Sequence, residues 1–95
     1  MYVRITRGRF NPSTEADIQR IVEEQVIPAI QKLPGFQRYL GGVNRSTGMI
    51  TAVSLWDTED QASFSRDAVI SAVPALMALG VTFEPAETYE VTADA

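Results

Sequence analysis

Apolar positions recur every three or four residues between 14 and 33, and every second residue on either side of that stretch. The change of period separates strands from a helix. Residues 1–10 alternate weakly, with Val3 and Ile5 on one side and Tyr2, Arg4 and Thr6 on the other. This predicts a first strand in a sheet covered on both faces. Asn11 or Ser13 is a candidate helix cap, Pro12 suits a first turn, and Thr14 with Asp17 is an alternative capping box. The long helix is predicted over 14–32, with Ile18, Ile21, Val22, Val26, Ala29 and Ile30 leading to Leu33 along one stripe. It would run about 28 Å. Pro28 falls inside the stripe, where its ring meets the Glu24 carbonyl, so a bend is expected there. Leu33–Pro34–Gly35 ends the helix.

Residues 36–43 read as a second strand, with Tyr39, Gly41 and Val43 on one face and Phe36, Arg38, Leu40 and Gly42 on the other. The Gly41–Gly42 pair predicts a bulge or a close approach. Residues 44–48 make a hairpin loop, with Asn44 as a turn residue. In the third strand, 49–56, Met49, Thr51, Val53 and Leu55 share one face, and Ile50, Ala52, Ser54 and Trp56 the other. Small residues on the second face leave room that Trp56 could wall. Asp57 or Thr58 caps the next helix, and Thr58 with Gln61 forms a capping box. Pro74 interrupts that helix, a further turn or two follows, and Gly80 ends it. Residues 81–83 and 88–92 form a last strand split at Glu84–Pro85.

The order is β-α-β-β-α-β. The predicted class is α+β, ferredoxin-like, with a four-stranded antiparallel sheet and both helices on one face. The 95 residues make a single domain, 1–95. The other sheet face also carries apolar residues, so a second copy is expected to cover it as a homodimer.

Composition narrows the chemistry. The chain has no cysteine and no histidine. Thiol catalysis, Ser–His catalysis, most zinc or iron sites and the usual haem ligand are thereby excluded. No Asp/Glu spacing resembles a calcium loop. The expected cofactor and metal content is none. The net charge of −4 argues against nucleic acid as a partner. Arg7 and Arg9 point one way in the first strand and Arg4 the other, so they form no single basic face; solvated strand charges are expected, with an anion or substrate contact as the alternative. No signal peptide or membrane span is read, and a cytoplasmic location is expected.

LPGF at 33–36, the hairpin, and SLWDTEDQASF at 54–64 together resemble the antibiotic biosynthesis monooxygenase-like domains of the dimeric α+β barrel group. The resemblance covers roughly residues 2–92 and implies two sheets meeting in a dimer barrel, with a pocket between helices and sheet. It also implies cofactor-free oxidation of polyketide-type phenols to quinones, or haem degradation. The residues of the haem-degrading branch would fall near Arg7, Ser65 and Ala75, none of which carries the needed side chain.

A cofactor-free oxygenase needs a dry pocket, a hydrogen-bond donor near a phenol and stabilisation of the anion. Trp56 is a candidate for stacking on an aromatic ring, Tyr39 and Tyr89 for donating to a bound oxygen, and Arg38 or Arg7 for steadying a phenolate or enolate. Phe64 and Met77 are expected in the core or at the pocket wall. The expected function is a cofactor-independent monooxygenase acting on a small hydrophobic aromatic or quinol-like compound. The pocket would be enclosed, bordered by Trp56 and the small Ala52–Ser54 face. The alternative is a non-catalytic dimeric small-molecule-binding or structural domain, with an isomerase or decarboxylase on the same scaffold as a third reading.

Overall fold

The computed structural model describes residues 1–95 apart from the side chain of Phe64, so the position expected for that ring lies outside the described residues. The elements are β1 (Tyr2–Arg9), a 3-10 turn (Pro12–Thr14), α1 (Glu15–Ile21), a π segment (Val22–Val26), α2 (Ile27–Gln31), β2 (Phe36–Asn44), β3 (Met49–Trp56), α3 (Glu59–Ala68), α4 (Val73–Ala78), β4 (Thr82–Phe83) and β5 (Glu87–Glu90).

The sheet order is β2-β3-β1-β4, with β5 also paired to β1. Every pair is antiparallel. This is the expected ferredoxin-like order. Two parts of the expectation are corrected. The sheet has five strands rather than four, because the last strand breaks at Pro85 into β4 and β5. It is also open, with β2 at one edge and β4 and β5 at the other, and is not closed into a barrel. Closure requires a continuous ring of strand pairing, and among the described residues nothing pairs β2 with β4 or β5.

The long helix is not one α-helix. Asn11 caps the 3-10 turn, its Oδ1 accepting from the Ser13 N–H at 3.0 Å. Thr14 makes no side-chain cap bond. The π segment immediately precedes α2, in whose first turn Pro28 sits. Wider winding relieves the clash of the proline ring with the Glu24 carbonyl, so the expected bend takes the form of a π segment. The Thr58–Gln61 capping box of α3 is present as predicted, and Pro74 opens α4. Gly80, at φ +88°, ends it.

The strand β2 departs from its predicted alternation. Phe36 lies opposite Trp56 and Arg38 opposite Leu55, so Gln37 is an extra residue. Phe36 therefore shares the face of Tyr39, where its ring meets Trp56 edge-on at 5.5 Å. The register stays regular through Gly41 and Gly42. At the other side of the sheet, Gly8 lets β4 approach: a Cβ there would lie 2.1 Å from the Thr82 carbonyl oxygen.

The apolar interior falls into two clusters on the helix face. One gathers Phe10, Ile18, Leu76 and Val81, with Ile50 packed against it. The other gathers Ile30, Trp56 and Ala62, with Tyr2, Phe36 and Tyr39 against it. Met77, expected inside, is exposed. No helix among the described residues is long and apolar enough to cross a membrane.

Candidate functional site

Register sorts the sheet into transverse rows, because residues directly opposite one another point to the same side. On the helix face, Tyr39 lies opposite Ser54, Ser54 opposite Arg4, and Arg4 opposite Thr88. One polar row thus crosses four strands. The row nearest one edge of the helix layer contains Phe36, Trp56, Tyr2 and Glu90. On the open face, Arg38, Leu55, Val3 and Tyr89 form a row of their own.

The residues singled out from the sequence therefore divide. Trp56 and Tyr39 come together on the helix face. Arg38 and Tyr89 lie on the opposite face, with a sheet between them and the first pair. Trp56 is fully buried. Its ring is enclosed by Ile30, Ala62 and Phe36, and its Nε1–H donates to Ser54 Oγ at 2.8 Å. Tyr89 is 48% exposed and donates its hydroxyl to Glu87, which pushes the phenol's pKa up. Glu87 also pairs with Arg7 at 3.2 Å, so Arg7 too belongs to the open face.

The polar row offers different chemistry. Tyr39 is half-buried, and desolvation pushes its phenol above the usual range. It stays neutral at physiological pH and can donate. Its ring lies along the sheet, with the hydroxyl 3.5 Å from where a Cβ of Gly41 would stand. This is ordinary van der Waals contact, so neither a bulge nor a close approach accounts for the Gly41–Gly42 pair.

Arg4 was not among the candidate catalytic residues, although strand alternation had placed it away from Arg7 and Arg9. Its guanidinium is half-buried and makes no ion pair among the described residues. Its side-chain hydrogen bond runs to Thr6 Oγ1 at 3.4 Å. Burial lowers its pKa, and the positive charge of Arg66 lowers it further. The signal in the sequence was an arginine between Tyr2 and Thr6 on the helix side of a central strand. What the sequence lacked was the absence of a carboxylate opposite it.

Two open concavities, of about 350 and 370 Å³, lie on the other face. Val3 and Leu55 line the first, Arg7 and Thr51 the second. Neither is the enclosed space expected beside Trp56, where Ile30 and Ala62 fill the volume. Among the described residues, no three His, Cys, Asp or Glu side chains group to hold a metal ion.

No family model and no curated protein matches the sequence. Solved structures do. A Deinococcus radiodurans protein assigned to the antibiotic biosynthesis monooxygenases superposes with a TM-score of 0.80 at 19% identity, over 100% of this chain and 96% of that one. SnoaB, a cofactor-independent oxygenase from Streptomyces nogalater, gives 0.77 at 17% identity, over 98% and 95%. A protein of unknown function from Nitrosomonas europaea gives 0.73 at 14% identity, over 99% and 91%. The chain has the fold of the antibiotic biosynthesis monooxygenase-like structures, as LPGF and the strand-end tryptophan led one to expect.

Proposed function

We propose that this protein is a cofactor-independent oxygenase acting on a small hydrophobic aromatic or quinol-like compound, held over the polar row of the helix face. One observation carries the reading. Tyr39, Ser54, Arg4 and Thr88 form a row of hydrogen-bond donors, flanked by the two apolar clusters. Its fold is that of SnoaB, itself a cofactor-independent oxygenase. Apolar walls suit an aromatic body, and donors suit its oxygens.

The chemistry asks little of the protein. An anthrone-type substrate loses a ring-methylene proton to water and becomes an enolate. The enolate carbon reduces O2 and bonds to it as a peroxide. The peroxide then expels water, leaving a quinone. One O2 is consumed for each methylene converted to a carbonyl and each water released. Tyr39, held neutral, donates to the substrate oxygen. Trp56 walls one end of the row as packing.

A homodimer through the open sheet face belongs to the same proposal. Leu40 is 52% exposed there, and Val3, Ile5, Val53 and Leu55 are only half-buried. Apolar patches of this kind mark contact surfaces.

The filled space beside Trp56 favours the rival reading, a dimeric binding or structural domain without catalysis. Oxygen uptake separates the two. With anthrone in metal-free buffer, the oxygenase reading expects uptake of one O2 per quinone formed, well above the buffer rate. A rate equal to the buffer's at every protein concentration overturns it.

A further inference from the structure

The proposed site contains a cation with no counter-charge. Arg4 sits at the middle of the row, between Ser54 and Thr88. Ser54 is buried and already accepts from the Trp56 indole. The nearest carboxylate row is one step along the strands, where Glu90 accepts from the Tyr2 hydroxyl at 3.1 Å. The other carboxylate of β5, Glu87, lies on the opposite face beside Arg7. No anion of the chain itself therefore neutralises Arg4 among the described residues.

A half-buried guanidinium without a partner costs folding free energy, and Arg66 adds a second positive charge beside it. Its five N–H donors are here left with one long hydrogen bond. The donors of the row are otherwise hydroxyls. The sheet spacing puts Tyr39 about 10 Å from Arg4, two strands away, with the buried Ser54 between them.

Resting on the site reading above, we infer that Arg4 is the specificity-determining residue of this row, and that it selects ligands presenting an ionised aromatic hydroxyl. The guanidinium binds the phenolate or enolate oxygen. Neutral aromatic compounds of the same shape bind more weakly, because they leave Arg4 without a counter-charge. Binding favours the charged form of the ligand, so the bound hydroxyl ionises at a lower pH than the free one.

The probe is 4-nitrophenol, whose hydroxyl ionises near neutral pH and whose anion absorbs in the visible. Its uncharged control is 4-nitroanisole. Titration with the native protein is expected to lower the probe's apparent pKa by about one unit, equivalent to tenfold tighter binding of the anion. The Arg4→Met variant loses that shift and keeps its affinity for 4-nitroanisole. The Arg4→Lys variant retains most of the shift, which keeps the test valid if the methionine variant folds poorly. A shift that persists undiminished in Arg4→Met overturns the role of Arg4. Native protein that binds both probes equally, with no shift, overturns the selection of an anion while leaving the binding site standing. Native protein that binds neither probe overturns the site itself.

Discussion

The side-chain amide of Gln61 fills the space that a Cβ on Gly35 would need: the Gln61 Oε1 lies 1.7 Å from that position. The same Oε1 accepts from the Thr58 N–H at 3.1 Å to complete the capping box. Gly35 also stands at φ +78° and accepts from the Asp57 N–H at 3.0 Å. The turn after α2 and the start of α3 are thus one joint. Gly35→Ala is expected to cost about 2–4 kcal/mol, from the left-handed backbone and the displaced cap together. Urea unfolding followed by circular dichroism measures it. In the double variant with Gln61→Ala the clash is gone, so the combined loss should fall short of the sum. Strict additivity would show that the two sites are independent.

Trp56 is expected to behave as a core residue whatever its part in binding. Replacing it with alanine should cost about 3–5 kcal/mol, enough to unfold much of a domain this small. Ser54→Ala is the sharper test. It leaves the buried indole N–H without an acceptor and should cost about 1–3 kcal/mol. A neutral result in a melting experiment would mean that the 2.8 Å bond contributes nothing.

Tyr39→Phe removes one hydroxyl from the polar row and leaves the ring packed against the Trp56 cluster. On the oxygenase reading, the rate of O2 uptake falls about 10- to 100-fold, while the melting temperature stays within a few degrees. Unchanged uptake would remove Tyr39 from the site.

The hairpin between β2 and β3 is tied to α1 by Arg45, whose Nε and Nη2 donate to the two carboxylate oxygens of Glu15 at 2.7 Å each. Those hydrogen bonds hold the Glu15 carboxyl below its usual range. A depressed folded-state pKa gives stability that is present above the unfolded carboxyl's value, about 4.3, and is lost as pH falls through the lower folded value. The melting temperature of the native chain should therefore exceed that of Glu15→Gln at neutral pH. The two should converge in acid. A gap of constant size down to pH 2 would contradict the assignment.

For the open face, Leu40→Asp places a charge among apolar neighbours without touching the helix side. Sedimentation equilibrium of the native chain at micromolar concentration should give a dimer, and of the variant a monomer with unchanged circular dichroism. A native monomer at every concentration would sink the homodimer.

Much of this architecture was legible because it is written in local chemistry. The Thr58–Gln61 pair, the glycine at 80 and the alternation of β3 each specify an element without help from distant residues. The faces of β3 were read correctly, and so was the separation of Arg4 from Arg7. The face of Phe36 was not. Two adjacent glycines drew the expected irregularity to 41–42, whereas it falls at Gln37, where the edge-on contact of Phe36 with Trp56 sets the register. That contact joins residues twenty apart, and no local pattern encodes it. The division of the candidate residues between two faces was hidden in the same way. Trp56, Tyr39, Arg38 and Tyr89 were plausible by residue type, but which face each occupies depends on the registers of three strand pairs. The solitude of Arg4 is likewise a property of its neighbours across the sheet.

The division of the interior into two clusters has a consequence for anyone following this protein by light. The chain has one tryptophan, and it belongs wholly to the cluster of Ile30 and Ala62. The other cluster, built around Phe10 and Leu76, has no such chromophore. If the polar row lets the two ends loosen separately, indole emission will report only one of them. The backbone amides of Leu76 and Val81 would then exchange with solvent deuterium while the fluorescence still reads as native. Equal opening free energies at Leu76 and at Ala62 would instead show one cooperative unit, with a single optical signal standing for the whole molecule.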